Sequence, residues 1–551
     1  MTPSRRAYGS ILVPLFLSAA ACSGGDGSKQ ATGGTSSTLG SGTGGTGAAL
    51  GGATNGGSSA VTSQLGGAGS SMTAAGGTMT SAGGRGNASG GPNGTAGATS
   101  VAAGGRSAAG GTTAAAGTGA AAGMSAGGTA PASGSAGAAQ SGGGAPTVDG
   151  SLFTVNSMLA SQADAKAPTT VGIVTWSATT ISVKSAYLEF GLDTSYGMQA
   201  PVDLTQPSYR TLLLGMKPSK TYHYRVVASD GSTSHASDDY TIQTGPVTTA
   251  VKIGSFDVKQ ESGRERGFIV LSYWAGTGSS VAFILDADGD IVWAYDLGMT
   301  GGIARARISY DGADLWAVTA DNGGQPIRRV GMDGLNPQTY SSTKSSHDIA
   351  AVSGHTMAYL DYSVSCNDIQ EIDPSGTTKK IFTASGVFGS QCHGNAVRYS
   401  EAEDVYTYGV VDKDVIRVSR AGQKLWSLAD TVAGGNASWG AVNHGHHLLA
   451  SSILIFANKG GANGASAMLE YDFSGKKLSS YDAGITSQNL GDVQRLPGGN
   501  LLVDFSNADI VHQVSKDGTL LVEIKGPGGQ NKFGYATWRP TLYGPSPDIT
   551  D

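Results

Sequence analysis

The 551-residue chain has few charges, few cysteines and no long apolar run. Charged residues make up 14% of it, and only three residues are cysteine. Five of its 35 basic residues and one of its 41 acidic residues precede residue 149, which leaves 30 basic and 40 acidic side chains in the remainder, a net charge of about −10. A phosphate-binding surface needs a basic excess, so this balance argues against nucleic acid as a partner.

Residues 23–148 lack aromatic side chains altogether and contain only four charges, Asp26, Lys29, Arg85 and Arg106. About 40 of the 87 glycines lie there. Such a segment cannot bury enough apolar surface to offset the loss of chain entropy on folding. We therefore predict a disordered tether rich in Gly, Ser, Ala and Thr, with a root-mean-square span of roughly 55 to 70 Å.

The amino terminus has the pattern of an export signal. Arg5 and Arg6 precede an apolar run, 11–17, which is followed by small residues and Cys22. The run is about half the ~20 residues that cross a bilayer, so we predict that this signal segment, within residues 1–22, is cleaved rather than retained as an anchor helix. The small residues before Cys22 resemble the bacterial lipoprotein box, in which that cysteine is acylated; a plain secretory signal is the alternative. Ser23 favours, by analogy with lipoproteins, an exported protein of the outer membrane.

We predict that the other two cysteines, Cys366 and Cys392, form a disulfide, because disulfides persist in exported proteins. Two free, buried thiols are the alternative.

The sequence pattern of residues 149–246 predicts a small β-sandwich. Short alternating strands occur at 171–176, 186–191 and 222–227, separated by turn residues. The spacing of Leu214, Pro218, Tyr222 and Tyr224 resembles the segment that leads into strand F of fibronectin type III domains, in which a tyrosine fixes the corner. We expect Trp176 and Tyr222 in the core and find no catalytic pattern in this region.

An internal repeat dominates residues 250–545. A strand, a turn closing on glycine and a second strand recur six times, with the glycines at positions 289, 334, 376, 422, 475 and 518. Their spacings of 45, 42, 46, 53 and 43 residues are close to the ~40 to 50 residues of a four-stranded propeller blade. We predict an all-β fold with a six-bladed β-propeller, which hides strand edges; a flat sheet or a solenoid is the alternative.

Three histidines occupy one phase of this repeat. His347, His393 and His444 each open the apolar strand that follows a repeated hairpin. In a propeller that strand is the innermost of the next blade, so these residues should surround the mouth of the central channel. Arg305, or alternatively Arg307, and Tyr535 stand at the corresponding phase of other units. We predict a shared pocket; scattered structural histidines are the alternative.

Converging imidazoles support two kinds of chemistry. Three neutral histidines can ligate zinc. Alternatively, one histidine acts as nucleophile or base while the others, with Arg or Asn, hold an anionic group. The same phase contains no carboxylate pair that would indicate a glycosidase, and the chain contains no Gly-x-x-x-x-Gly-Lys loop that would indicate nucleotide binding.

Residues 250–545 resemble the arylsulfate sulfotransferase family of exported bacterial β-propellers, in which a β-sandwich also precedes the propeller. The segments that carry the resemblance are His-Asp-Ile at 347–349, His-x-Asn-x-Val-x-Tyr at 393–399, 415–418, 422–426, 439–444, 453–456, and Val-Gln-Arg-Leu-Pro-Gly-Gly-Asn at 493–500.

The resemblance implies transfer of a sulfuryl group from an aryl sulfate to a phenol through a sulfohistidine, without a nucleotide sulfate donor. By motif position His444 is the nucleophile, and His347 and His393 bind sulfate oxygens and assist proton transfer. We add Asn395, Arg305 and Tyr535 as expected substrate contacts and expect no cofactor and no metal. The alternatives are an inactive, lipid-anchored propeller that binds aromatic or anionic ligands, and a histidine-liganded metalloenzyme.

Two positions depart from the family pattern. Val411 lies at or next to the site of a family arginine, and loss of that guanidinium removes a bidentate oxyanion clamp. Lys413 or Arg305 are the candidates to replace it. The family also has Phe-Asp-Asn-Gly where this chain reads Phe-Ala-Asn-Lys-Gly at 456–460. We expect both departures to affect catalytic turnover more than the fold.

Overall fold

The computed structural model describes residues 145–248, 251, 253–276, 280–432 and 442–545, and these residues belong to one compact unit. The predicted signal segment, the lipidation at Cys22 and almost all of the predicted tether lie outside the described residues. The described part is built from strands, with only three four-residue α-helices. Within it, no helix has both the length and the apolar character needed to cross a bilayer.

The first part of the described chain is a β-sandwich. Its strands are β1 (Thr147–Val148), β2 (Phe153–Leu159), β3 (Gly172–Ala178), β4 (Ser185–Gly191), β5 (Met198–Pro201), β6 (Thr211–Leu213), β7 (Thr221–Ser229), β8 (Ser234–Ala236) and β9 (Tyr240–Gln243), with helix α1 (Ala160–Ala163) after β2. One sheet has the order β2-β3-β6 and the other the order β1-β8-β7-β4-β5, with β9 also paired to β7.

Alternation of apolar and polar residues builds this sandwich. Along β7 the side chains of Tyr222, Tyr224 and Val226 are buried, whereas Thr221, His223 and Arg225, which alternate with them, are more exposed. Trp176 is buried in the same core, so both predicted core aromatics are confirmed. The hydroxyl of Tyr222 accepts a hydrogen bond of 2.8 Å from the backbone N–H of Lys217, five residues upstream.

The remaining strands form sheets of consecutive antiparallel strands. They are β10 (Asp257–Gln260), β11 (Phe268–Ala275), β12 (Val281–Leu285), β13 (Ile291–Asp296), β14 (Ile303–Ile308), β15 (Asp314–Thr319), β16 (Gln325–Gly331), β17 (Gln338–Val352), β18 (Thr356–Asp361), β19 (Asp368–Ile372), β20 (Thr378–Phe382), β21 (Gly394–Ser400), β22 (Val405–Val410), β23 (Asp414–Ser419), β24 (Lys424–Ser427), β25 (Asn443–Leu448), β26 (Ser452–Ala457), β27 (Ala467–Asp472), β28 (Lys477–Asp482), β29 (Asp492–Arg495), β30 (Leu501–Phe505), β31 (Ile510–Val514), β32 (Leu520–Lys525), β33 (Lys532–Phe533) and β34 (Thr537–Arg539), with helices α2 (Ser385–Phe388) and α3 (Leu428–Thr431).

Their sheets have the orders β33-β11-β12-β13 with β34 also paired to β11, β14 to β20, β21 to β24, β25 to β28, and β29 to β32 followed by β10. The long strand β17 pairs with β16 through its first half and with β18 through its second half. It therefore takes part in two successive four-stranded groups.

The six glycines that close the repeated turns all have φ between +75° and +90°. This left-handed region is open to glycine without steric cost, because glycine has no Cβ. The turns join β12 to β13, β16 to β17, β19 to β20, β23 to β24, β27 to β28 and β31 to β32. The predicted hairpins are therefore in place.

The two ends of this region meet in the same sheets. Strand β34, near the end of the described chain, pairs with β11, and β10, near the beginning, pairs with β32. The innermost strands of successive sheets contact one another around the axis. This closed, radial arrangement is a β-propeller, and the flat or solenoid alternative is wrong because it would leave the two ends apart.

The sandwich and the propeller share a hydrophobic core. Ala167 and Val171 lie in one buried cluster with Trp293 and Met332 of the propeller. Thr170 donates a buried hydrogen bond of 2.6 Å from its hydroxyl to the carbonyl of Val292. The sandwich is therefore fixed against the hairpin turns at the outer part of the propeller.

Cys366 and Cys392 form the predicted disulfide, with their Cα atoms 4.4 Å apart. Cys392 directly precedes His393, so the crosslink anchors the segment that leads into β21.

The turn at Gly334 offers a test of the packing between sandwich and propeller. A Cβ at Gly334 would lie 2.3 Å from Cδ of Pro168, whereas a Cβ at Gly518 would meet no atom within 4 Å. Both glycines have a left-handed backbone, which costs alanine about 1 kcal/mol. We expect Gly334→Ala to lose about 1 to 3 kcal/mol more than Gly518→Ala because of the added overlap, measured by urea unfolding. Equal losses would contradict this contact.

The disulfide closes a loop with a sequence separation of 26 residues. In the chain-entropy treatment, a loop of this length contributes about 3.5 kcal/mol to stability. We expect the double variant Cys366→Ser/Cys392→Ser to unfold at correspondingly lower urea concentration. Thiol titration of the denatured, unreduced protein should find no more than one free thiol per chain, and two or more would disprove the bond.

Candidate functional site

The strands that carry the predicted residues share a local irregularity in their pairing. The register shifts at the start of β14, between Ile303 and Arg305, and in the middle of β17, between Ser345 and Ile349, where β17 begins to pair with β18. It shifts likewise at the starts of β21 and β25. A bulge bends a strand and turns a side chain out of the alternating pattern. The repeated bulges therefore set the direction of the side chains at one end of the channel.

His347 and His393 are in direct contact. Their Nε2 atoms are 3.2 Å apart, so one of the two nitrogens carries the proton of this hydrogen bond. The ring of Tyr362 stacks on His347, and its hydroxyl lies 2.9 Å from Nδ1 of His347. His347 has a φ of +67°, an uncommon conformation for a residue with a side chain.

His444 is buried and held by one amide. Its Nδ1 lies 2.7 Å from Oδ1 of Asn458. The amide nitrogen of Asn458 donates to the carbonyls of Ser487 and Leu490, at 2.7 and 2.8 Å, so its oxygen must face the histidine. Nδ1 of His444 therefore carries the proton, and Nε2 keeps its lone pair.

Burial keeps all three imidazoles neutral. Removal from water lowers the pKa of His347 well below its usual value, and the neighbouring His393 and His444 act in the same direction. Burial also lowers the pKa of His393. It lowers the pKa of His444 to about 4, although the bond to Asn458 opposes the shift. The structure thus brings the three predicted histidines together as uncharged bases at neutral pH.

Arg305 is engaged by protein groups. Its guanidinium donates to Asp348 at 2.8 Å, to Asp492 at 2.6 Å and to the carbonyl of Ala536 at 2.9 Å, and it lies over the ring of Tyr535. A contact of Arg305 with substrate stays a prediction, and it would require one of these bonds to be exchanged. Tyr535 donates to the carbonyl of Asn395 at 3.1 Å.

Four buried charges form the centre of the channel. Arg305 and Arg398 both bind Asp348 and Asp492, and we call these four residues the ion-pair quartet. Burial alone would raise the pKa of Asp348. The charges of Arg305 and Arg398 outweigh this effect, so the net shift of the pKa is downward. The quartet lies between the histidines at the starts of the inner strands and the residues at their ends.

Asn443 and Asn458 were not singled out in the sequence. Asn443 is fully buried beside His444, and both atoms of its amide lack a partner among the described residues. Asn458 fixes the His444 tautomer. A single asparagine carries no signal that distinguishes these roles from an ordinary turn residue, although Asn458 does lie in the family segment at 456–460. Asn395 donates from its amide to the carbonyl of Asn443 at 2.6 Å, and its own amide oxygen has no partner in the described chain.

The position of the missing family arginine is next to His393. The backbone N–H of Val411 donates to the carbonyl of His393 at 2.9 Å. Lys413, one of the predicted replacements, donates from its ammonium to the carbonyls of Gln391 at 2.5 Å and Phe388 at 3.2 Å. Its charge is therefore held by the segment before His393.

In the part of the chain that the structure describes, no group of three or more His, Cys, Asp or Glu side chains has the arrangement of a metal site. The contact of His347 with His393 is a hydrogen bond between ring nitrogens, which directs both nitrogens at each other rather than at a common centre.

A scan against protein-family models and a search of curated proteins both find no match. Solved structures with a similar arrangement include TolB from Acinetobacter baumannii, with 12% identity over 59% of this chain and 80% of that chain and a TM-score of 0.38. Virginiamycin B lyase from Staphylococcus aureus has 10% identity over 69% of this chain and 99% of that chain, with a TM-score of 0.32. The β-propeller domain of Cps50 (Swd1) from Myceliophteria thermophila has 10% identity, coverage of 50% and 91%, and a TM-score of 0.33. These likenesses carry no argument about activity.

The tautomer of His444 can be measured directly. Because its pKa is lowered to about 4, its ring should stay neutral with the proton on Nδ1 as the pH falls through 6.5, and should gain charge only near pH 4. Nitrogen-15 spectra of the imidazoles should report this state. In Asn458→Asp the new carboxylate should raise the pKa of His444, whereas His512, paired with Glu523, serves as an internal reference. A proton on Nε2, or titration near pH 6.5, would contradict the assignment.

Proposed function

We propose that this protein is an arylsulfate sulfotransferase that carries the sulfuryl group on His444. The observation that supports the proposal most directly is the state of that ring. His444 is neutral, its Nδ1–H is committed to Asn458, and its Nε2 is left as a nucleophile near two further neutral imidazoles. A fixed tautomer is what nucleophilic catalysis by histidine requires, because the attacking nitrogen must hold a lone pair.

The reaction has two displacement steps. Nε2 of His444 attacks the sulfur of an aryl sulfate, the bond from sulfur to the aryl oxygen breaks, and its electron pair leaves with the phenolate. The ring then carries positive charge, which the hydrogen bond from Nδ1–H to Asn458 disperses. In the second step the oxygen of a phenol attacks the same sulfur, and the bond from sulfur to Nε2 breaks with return of its electron pair to nitrogen.

The proton of the acceptor phenol passes to the pair of His347 and His393, whose Nε2 atoms share one hydrogen bond. An imidazole pair of this kind can take up a proton and release it to the departing phenolate or to water. The amide of Asn443 offers donors for sulfuryl oxygens, since it is buried and has no partner among the described residues. Hydrogen-bond donors fixed before reaction stabilise charge that develops on such oxygens. The reaction uses no cofactor.

The finer architecture belongs to the same proposal. The strand pairing supports six blades, the first completed by β34. The sheet orders β2-β3-β6 and β8-β7-β4-β5 and the Tyr222 corner support a fibronectin type III-like sandwich. A lipid on Cys22 and the glycine-rich segment 23–148 hold the protein at a bacterial envelope membrane, with the outer membrane favoured.

A specific observation favours the second candidate, a propeller that binds aromatic or anionic ligands without transfer. Valine stands at position 411 beside His393, and Arg305 is bound to Asp348 and Asp492. The described site therefore has no guanidinium available to bind a sulfuryl group, and this lowers the expected rate more than the affinity.

Release of nitrophenol from nitrophenyl sulfate, with a phenol acceptor present, separates the two candidates. We expect His444→Ala to lower kcat/KM about 1,000-fold or more, because it removes the group that forms the covalent bond. His512→Gln changes another buried histidine, on β31 and outside the inner strands, and should retain most activity.

Equal release by the wild-type protein and His444→Ala would reject transfer. If neither protein releases nitrophenol, and calorimetry still shows that the wild-type protein binds phenyl sulfate, the binding propeller is the correct function.

A further inference from the structure

The opposite end of the channel contains a second cavity, of about 310 Å³. Its lining comes from the ends of the inner strands and the turns after them, including Arg307, Arg398, His447, Asp492 and Arg539. On β25, His444 stands at the second residue and His447 at the fifth, which places the cavity about 10 Å along the strand from the histidine cluster. The ion-pair quartet lies between the two.

The charges in and behind this cavity do not balance. Arg305, Arg307 and Arg398 lie within electrostatic range of one another, and the carboxylates that act on Arg307 are Asp348 and Asp492. Asp504 lies near Arg305, but burial raises its pKa well above the usual value and so favours its uncharged form. Both carboxylates are bound to Arg305 and Arg398. Arg307 makes no ion pair or hydrogen bond with the described residues, and its Nε is buried without a partner. An uncompensated, desolvated guanidinium is costly, so this position favours an anion.

Two further groups offer hydrogen bonds to an anion. Nδ1 of His447 accepts from the backbone N–H of Arg495 at 2.9 Å, and burial lowers the pKa of His447 to about 3. Its proton therefore resides on Nε2, which is a donor. Among the described residues, the guanidinium of Arg539 donates to the carbonyls of Thr541 and Gly544 and to no carboxylate, although Asp311 acts on it at longer range.

Acidic and apolar residues limit which anion fits. Glu401 and Glu403 lie in the turn after β21, and Glu403 is paired with Arg417. Oε2 of Glu401 has no partner among the described residues, so a second negative charge on the ligand would be repelled. Ile308, Leu448, Leu449 and Val493 also line the cavity and suit an apolar body. A volume of about 310 Å³ is at the lower end for small-molecule sites.

We propose that this cavity is a second binding site, in which Arg307 binds the oxyanion of a small organic monoanion with an apolar body. The site is separate from the sulfuryl-transfer site and does not depend on it. The bound anion would add a negative charge next to Arg307, because Asp348 and Asp492 are already bound to Arg305 and Arg398.

The test uses the full-length protein with benzoate, benzamide and phthalate as probes. We expect benzoate to bind with a Kd of about 1 mM by calorimetry, and both the uncharged benzamide and the doubly charged phthalate to bind at least about tenfold more weakly. Arg307→Gln should weaken benzoate binding about tenfold or more. Arg328→Gln is the matched control, because Arg328 is on β16, two strands from β14 in the same sheet and outside the cavity lining, and should leave the affinity unchanged within about twofold.

A second variant keeps the proposal testable if Arg307→Gln folds poorly. Arg307→Met removes the uncompensated charge, so it should unfold at higher temperature than the wild-type protein in buffer without benzoate, and benzoate should no longer raise its Tm. His444→Ala should bind benzoate as the wild-type protein does. The proposal is wrong if benzoate does not bind, if benzamide binds equally well, if Arg307→Gln binds normally, or if His444→Ala rather than Arg307→Gln abolishes binding.

Discussion

Two arginines and two aspartates at the axis determine the geometry of everything around the channel. Each carboxylate of the quartet binds both guanidinium groups, and the four residues come from β14, β17, β21 and β29. Asp348 also accepts the backbone N–H of Val397 at 3.0 Å, which joins it to the next sheet. Removal of one partner from such a buried set leaves an uncompensated charge and typically costs about 3 to 5 kcal/mol. The inner strands are thus fixed to one another by charge as well as by packing.

This arrangement gives the channel two chemically different ends. At one end, neutral imidazoles lie in a largely buried site with amide atoms of Asn395 and Asn443 that have no partner among the described residues, and the proposed displacement at a sulfuryl group belongs to this end. At the other end, the arginines exceed the carboxylates bound to them, which suits an anion held without reaction. The quartet separates these environments, so a ligand at one end does not need to share volume with a ligand at the other. The bulges at the strand starts affect only the first of the two, because the register is regular toward the strand ends.

Much of the fold follows from local sequence. The glycines that close the turns need a left-handed backbone, and their regular spacing therefore reports the blades without any knowledge of distant contacts. The same phase places His347 where β17 begins to pair with β18, His393 directly before β21 and His444 at the second residue of β25. The bulges leave no such local sign, and neither do the ion pairs of Arg305 with Asp348 and Asp492. Those outcomes depend on partners 43 and 187 residues away in sequence.

The pairing of β34 with β11, which closes the propeller, has a consequence for biosynthesis. Strand β11 receives its inner neighbour, β34, only from residues Thr537–Arg539, near the end of the chain. Until those residues have been synthesised, the first sheet has an open edge and the ring stays incomplete. Nascent chains consequently need protection of that edge against pairing with other strands until Thr537–Arg539 have emerged.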